Sequence, residues 1–371
     1  MFKAYKFRLY PNKKQEEQIQ KTFGCCRFVY NQTLSYRKEL YKTQKKSMNK
    51  ISCNNYCNQV LKKKYKWLKE VDKFALTNAI YNMDTAYKNF FRDKNVGFPK
   101  FKSKKNNHYS YTTNNQKNNI RIIDNKYIHL PKLKTLVRIK QHRQIPKDGK
   151  IKLATISQNP SGKYYISILV EQEIKELSKN EFAIGIDLGL TDFAITSDGV
   201  KYSNPRYLQK SSNKLAKEQR KLSRKKKGSK NRNKQRIKVA KLYEKIANQR
   251  KDFLHKLSSE LINENQVICL EDLQVKEMQQ NKYLSQSIYD VGWYEFRREL
   301  EYKAKWYGRT ISFVDKYYPS SQICSNCGEN TGKKPLYIRE FNCLCCGKHH
   351  DRDINASINI LHEGLRLLTK K

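Results

Sequence analysis

The 371-residue sequence predicts two mixed folds in one chain, an α+β domain followed by an α/β domain. Three observations carry this. The first residues alternate like a strand, a long helical stretch follows, and strands then return. From residue 181 the order becomes β-hairpin, helices, β, helix, β, helix. Two CxxC pairs interrupt that order near its end.

Residues 2–9 set Tyr5, Phe7 and Leu9 on one face with Lys6 and Arg8 opposite, the period-two pattern of a strand, which Pro11 and Asn12 end. From 13 to 92 the spacing is helical. Ile19, Phe23 and Cys26 mark one apolar face, and Leu76, Ile80, Met83, Tyr87 and Phe90 a later one. GFPKFKSKKNN (97–107) breaks the helix with glycine, proline and a basic run. Strands are predicted over 127–139, 150–157 and 163–172, the last two joined by the turn NPSG. A helical block therefore interrupts a β-rich domain whose first strand is the N-terminal segment.

The second domain opens with FAIGIDLGL (182–190), an apolar run of the buried-strand type. DFAITSDGVKYS (192–203) follows as a hairpin turning at Asp198-Gly199. Between Lys214 and Lys251 there are 17 lysines and arginines against two acids, and GSKN (228–231) splits this segment into two helices. The second carries an apolar stripe at Val239, Tyr243, Ile246, Phe253, Leu257 and Leu261. QVICLED (266–272) is a third strand, 291–307 a helix and TISFVD (310–315) a fourth strand. The final helix would pack Ile354, Ile358, Leu361 and Leu365 onto the sheet. This is the order of an RNase H-like fold.

Composition narrows the partners. Lys and Arg number 77 against 34 acids, a net charge of +43, and so large a charge repels itself unless a polyanion is bound. Nucleic acid is the expected partner, with 25 tyrosines and 15 phenylalanines available to stack on bases. No apolar run reaches spanning length and MFKAYKFRLY lacks a signal-peptide core, so a cytoplasmic, nucleoid-associated protein is expected, with no membrane partner.

Acids fall where this fold would gather them. Asp187 ends the first strand in GIDLG, Glu271 ends VICLE, and Asp353 starts the last helix. Three converging carboxylates repel unless divalent cations lie between them. Two Mg²⁺ ions roughly 3.5–4 Å apart would suit phosphodiester hydrolysis. Asp351 competes with Asp353, since either could cap the helix, and Asp272 and Asp315 are further candidates.

CSNC (324–327) and CLCC (343–346) form a CxxC…CxxC pair, with Gly328 and Gly347 directly after each last cysteine. Cys324, Cys327, Cys343 and Cys346 are expected to close one structural Zn²⁺ site, leaving Cys345 as the spare. With no vacancy on that zinc, His349 and His350 read as phosphate or backbone contacts. Cys25, Cys26, Cys53, Cys57 and Cys269 read as buried thiols, although Cys53 and Cys57 have the i, i+4 spacing of a helical ligand pair.

GIDLGLTDFAITSDG, LSRKKKGSKNRNKQRIKVAKLYEKIANQRKDFLHKLS, ICLEDLQVKEM, YYPSSQICSNCG and DRDINASINI together resemble the TnpB (OrfB) proteins of insertion sequences. That family is similar to the compact type V CRISPR effectors. FKAYKFRLYPNKKQ and GFPKFKSKK also fit, so the resemblance covers nearly the whole chain. It implies a β-barrel (wedge) domain over 1–11 and 125–178 with a helical recognition insertion over 12–124. A RuvC-like nuclease domain would occupy 181–320 and 350–371, with a zinc ribbon over 321–349. The family's catalytic triad falls on Asp187, Glu271 and Asp353, with Asp353 preferred because it precedes x-Asn-Ala. Its zinc ligands fall on the four cysteines already named. Ser357 stands where the family usually has alanine.

The activity implied is RNA-guided cleavage of double-stranded DNA beside a short adjacent motif, with a guide RNA transcribed from the transposon end. Whether the chain acts as monomer or dimer is left open. Lys221, Arg224, Lys225, Lys226, Lys227, Lys230 and Arg232 in the basic segment, with Lys102, Lys104 and Lys105, would hold the nucleic-acid backbones. A guide-dependent DNA-binding regulator without cleavage and a DNA strand transferase are the competing readings.

Overall fold

A computed structural model describes residues 1–106, 109–335 and 337–370; Asn107, the end of the predicted basic run, lies outside them. The chain divides into two compact units, Met1–Glu173 and Ile174–Lys371.

In the first unit β1 (Phe2–Tyr10) buries Tyr5, Phe7 and Leu9, as its alternation predicts. Helix α1 (Lys13–Gln44) starts on a capping box. The Asn12 side chain accepts from the Gln15 N–H, and the Gln15 side chain accepts from the Asn12 N–H. Helices α2 (Lys50–Tyr56), α3 (Lys62–Lys64) and α4 (Lys73–Arg92) follow. The strands are β2 (Tyr109–Asn114), β3 (Arg121–Ile123), β4 (Tyr127–His129), β5 (Val137–Lys140), β6 (Lys150–Gln158) and β7 (Tyr164–Glu171). They join β1 in one seven-stranded sheet, ordered β2-β6-β7-β1-β5-β4-β3. Ile19, Phe23 and Val29 of α1 pack with Leu76, Ile80 and Met83 of α4 against the sheet's apolar face.

Two differences from the sequence reading stand out here. Residues 109–123, assigned to the helical insertion, supply two strands of the sheet. YSYTTN has no clear apolar alternation. It is held by backbone pairing with β6 and by a hydroxyl contact of 2.8 Å between Thr112 and Thr155. The predicted strand over 127–139 is two short strands, separated by a turn at Leu130–Leu133.

The second unit is built on a five-stranded sheet. Its strands are β8 (Ala183–Leu188), β9 (Asp192–Thr196), β10 (Lys201–Ser203), β11 (Val267–Glu271) and β12 (Thr310–Val314), ordered β10-β9-β8-β11-β12. The β8–β9–β10 pairs are antiparallel, while β8, β11 and β12 run parallel. Helices α5 (Tyr207–Ser223) and α6 (Lys230–Glu264) form the basic hairpin, Gly228 turning at φ +86°. Two short helices, α7 (Val275–Met278) and α8 (Ser285–Val291), precede α9 (Trp293–Tyr307). After β12 come a ribbon with β13 (Glu340–Asn342) and β14 (His349–Asp351), then α10 (Arg352–Thr369).

Ile184, Ile186, Ile268 and Leu270 point to one face of this sheet and pack with Leu254, Leu257 and Leu261 of α6 and with Phe296 and Leu300 of α9. Tyr243, read as part of the α6 stripe, is 46% exposed and its hydroxyl accepts from Gln219 on α5 at 2.8 Å. Of the stripe predicted for α10, Leu361 packs onto the opposite face of the sheet as expected, while Ile354, Ile358 and Leu365 are half-buried outside this core. That face is otherwise covered by α10 through Ala356, Ile360 and Gly364 with the polar Asn355, Ser357 and Asn359. The reason is a close approach of backbones, which only small residues permit. A Cβ on Gly185 of β8 would meet the carbonyl of Ser357 and come within 2.6 Å of the Leu361 nitrogen.

Candidate functional site

The parallel register of β8 and β11 pairs Ile186 with Leu270. Asp187 and Glu271 are the next residue on each strand, so the two acids end adjacent strands at the same level. Side chains alternate across a sheet. Gly185 and Cys269, two residues before the acids, both lie against α10, so Asp187 and Glu271 face α10 as well. Asp353 stands in the first turn of that helix.

Asp351 and Asp353 divide their roles. Asp351 is the N-cap, accepting from the backbone N–H groups of Asp353 and Ile354 at 3.0 Å and pairing with Lys201 at 2.6 Å. Asp353 meets Arg339 at 3.3 Å. Asp272 pairs with Arg297, and Asp315 accepts from the Tyr317 N–H at 2.8 Å to close a turn. Each of these competing acids therefore has a local structural partner.

Burial, then the charges of Glu271 and Asp353, push the Asp187 carboxyl up to about 7. Burial also raises Glu271, opposed by a hydrogen bond from the Ser320 hydroxyl at 2.7 Å. Asp187 thus feels the charge of both other acids. The three carboxylates are set wider than the mutual 4.8 Å spacing found for the cysteine ligand atoms. Hard oxygens arranged in this way suit divalent cations.

The thiol sulfurs of Cys324, Cys327, Cys343 and Cys346 all lie within 4.8 Å of one another, the only such group among the described residues. Cys324 to Cys346 is 3.7 Å and Cys327 to Cys343 is 3.6 Å. A tetrahedron with Zn–S bonds of ≈ 2.3 Å has edges of about 3.8 Å, so the set fits a closed zinc site. Each CxxC loop turns at its glycine. Gly328 and Gly347 sit at φ +77° and +71° and donate to the carbonyls of Cys324 and Cys343. The Lys348 N–H holds the Cys346 thiol down to about 6, and the Cys346 N–H lowers Cys343.

Cys345 is exposed and outside the cluster. His350 differs from the sequence reading. It is 7% exposed, stacks on Phe341 and sets Nε2 3.1 Å from the Cys324 sulfur, so it supports the thiolate cluster rather than contacting phosphate or backbone. His349 contacts Asn342 at 2.7 Å and Glu340 at 3.5 Å. Cys25, Cys26, Cys53, Cys57 and Cys269 are buried, and Cys53 and Cys57 belong to no ligand group among the described residues.

Of the basic residues, Arg224, Lys226, Lys227 and Lys230 are exposed around the α5–α6 turn, and Lys225 is half-buried. Lys221 pairs with Glu218 at 2.9 Å. Arg232 turns inward, donating to the carbonyls of Leu222 at 2.6 Å and Lys225 at 3.0 Å, so it holds the turn together. Lys102 is bound through its backbone to Asn31, and its ammonium lies 4.2 Å from the centre of the Tyr30 ring. Lys104 and Lys105 are exposed.

Comparison with known proteins bears on the whole chain. A family model described as "Probable transposase", the OrfB protein of IS605, matches residues 166–282. A Cas12f1-like TNB domain model matches 293–360. A Streptomyces pristinaespiralis protein assigned as an RNA-guided DNA endonuclease is 37% identical over 98% of this chain and 89% of its own. The chain belongs to the TnpB (OrfB) family. Escherichia coli K12 InsQ, another relative assigned as an RNA-guided DNA endonuclease, is 34% identical over 98% of this chain and 93% of its own.

The cryo-EM structure of Cas12f1 with single-guide RNA and target DNA shares the fold. Its TM-score is 0.60 at 14% identity, over 97% of this chain and 98% of that one. A helix-turn-helix model of the TnpB family matches residues 1–46, yet these residues form β1 and the unbroken 32-residue α1. Ser357 is buried and donates to the Ile354 carbonyl at 2.7 Å within its own helix. No helix among the described residues is long and apolar enough to cross a membrane.

Proposed function

We propose that this TnpB-family chain is an RNA-guided double-stranded DNA endonuclease associated with an insertion sequence, cutting at a site formed by Asp187, Glu271 and Asp353. The observation that carries this is the convergence of Asp187 and Glu271, ending adjacent parallel strands, with Asp353 at the start of the helix they face. The strand order, an antiparallel hairpin continued by parallel strands, supports a RuvC-type, RNase H-like nuclease domain. The seven-stranded sheet supports the wedge reading of the first unit, with the helices between β1 and β2 as the recognition insertion.

The carboxylates fit two Mg²⁺ ions, and the thiolates one structural Zn²⁺. Bound Mg²⁺ would activate a water and stabilise the leaving oxygen of a phosphodiester. The chain's own part is to hold the acids in place. Burial, and then the charges of its two neighbours, keep the Asp187 carboxyl from ionising freely, and a bound cation would favour its ionised form. The α5–α6 turn, through Arg224, Lys226, Lys227 and Lys230, would grip nucleic-acid backbone while base pairing with the guide selects the target.

The test is to purify the protein with RNA transcribed from its own locus. It is then incubated with Mg²⁺ and a plasmid library carrying a guide-matched target beside randomised flanks. Cutting beside a defined flank, absent without RNA and with Asp187→Ala, is the expected result. RNA-dependent binding without a cut would make the chain a regulator, and joined strands would make it a transferase.

A further inference from the structure

Ser320 is one of the few groups that touch the candidate carboxylates. It lies between β12 and the first CxxC loop and is 7% exposed, and its hydroxyl donates to Glu271 Oε1 at 2.7 Å. Two asparagines one turn apart on α10 hold its segment. Asn359, 3% exposed, donates to the carbonyls of Ser320 at 2.8 Å and Ile323 at 2.7 Å. Asn355, 1% exposed, donates to the Ile323 carbonyl at 2.7 Å and accepts from the Ser325 N–H at 2.8 Å. Ile323 and Ser325 flank Cys324. A short stretch of backbone therefore touches the thiolate cluster at one end and a carboxylate at the other, and it is clamped by the helix that carries Asp353.

We infer that Ser320 is a positioning residue for Glu271, and that Asn355 and Asn359 fix it, so that the cysteine ribbon and α10 together set the aim of the strand-end carboxylate toward its cation. The inference rests on the reading of the triad as a divalent-cation site. The chemistry supports positioning over mere burial. A carboxylate that rotates about its terminal bond offers a cation a poorly defined lone pair, and one buried donor on one oxygen fixes the plane of both. The donor comes from 49 residues away and across four elements, a contact that local folding does not supply.

The experiment titrates Mn²⁺ alone into the zinc-loaded protein, with free Mn²⁺ counted by electron paramagnetic resonance. Wild type is compared with Ser320→Ala, Ser320→Thr, Glu271→Gln and Asp187→Ala, with zinc content measured in each. Ser320→Ala is expected to bind Mn²⁺ about 10- to 100-fold more weakly with zinc retained, and Ser320→Thr, which keeps the hydroxyl, to return to wild type. Unchanged Mn²⁺ affinity in Ser320→Ala, beside weakened binding in Glu271→Gln and Asp187→Ala, overturns the inference alone. Loss of zinc in Ser320→Ala also overturns it, in favour of a role confined to the ribbon. Unchanged binding in Glu271→Gln and Asp187→Ala overturns the triad reading and the inference with it.

Discussion

Gly364 of α10 rests directly on Cys269 of β11. A Cβ on the glycine would meet the cysteine sulfur and come within 2.6 Å of its Cβ. The Ser312 hydroxyl donates to the Gly364 carbonyl at 2.8 Å and closes the contact from β12. Together with Gly185 beneath Ser357 and Leu361, this sets how deeply the Asp353 helix sits on the sheet that carries the other two acids.

Gly364→Ala should therefore overpack the interface and cost about 1–3 kcal/mol. At roughly 2–4 °C per kcal/mol for a unit of this size, the second unit's Tm should fall by several degrees. Adding Cys269→Gly to the same chain should recover most of the loss in differential scanning calorimetry. A single variant that melts like wild type would show that the helix can lift without penalty.

The ten cysteines fall into three classes that a thiol reagent can count. In the zinc-loaded native protein only Cys345 should react quickly with a maleimide. The four cluster thiols are held by metal. The five buried ones are shielded, burial pushing Cys25 up to about 11 and Cys269 up to about 12. A zinc chelator should raise the count by four and destabilise the second unit. Five reactive thiols before chelation would contradict a loaded cluster.

Asp187 predicts a pH dependence in protein without Mg²⁺. Its folded pKa, about 7, lies above the ordinary 3.8, so the folded chain keeps a proton that the unfolded chain releases. This stabilisation is complete below about pH 4 and is lost as pH rises through about 7. Thermal melts between pH 5 and 8 should show wild type losing stability relative to Asp187→Asn, with Mg²⁺ narrowing the difference. Parallel curves for the two proteins would rule out the raised carboxyl.

The α5–α6 turn separates binding from folding. Neutralising Lys226 and Lys227 should weaken RNA binding, with Tm unchanged. The salt slope should fall by about 0.7 for each single-strand phosphate that is no longer neutralised. Arg232→Ala should instead lower Tm, because its guanidinium holds two carbonyls of the turn. Filter-binding across a salt series, beside melting curves, distinguishes the two. Equal behaviour of the variants would mean that Arg232 also faces the RNA.

What is legible in the sequence follows from periodicity and spacing. AIGID and VICLE are short apolar runs ended by an acid, and two CxxC loops with trailing glycines bring four sulfurs together; both patterns are local. The α10 face escapes such a reading because it seats Ala356, Ile360 and Gly364 beside two asparagines and a serine, which carry no hydrophobic period. Strand β2 escapes it because its pairing partner lies across the chain. Ser320 and His350 act through hydrogen bonds to residues 49 and 26 positions away, and no window along the sequence contains both ends.

The order of the acids along the chain has a consequence for how the protein is made. A ribosome delivers Asp187 first, Glu271 later, and Asp353 only after the whole cysteine ribbon. While α10 is still inside the exit tunnel, the β8–β11 sheet holds two acids with its Gly185–Cys269 face bare. An interrupted translation product, or one cut back before α10, would lack the third carboxylate together with the helix that clamps Ser320. On the proposed triad reading, such unfinished copies would bind no complete set of cations and would not cut DNA.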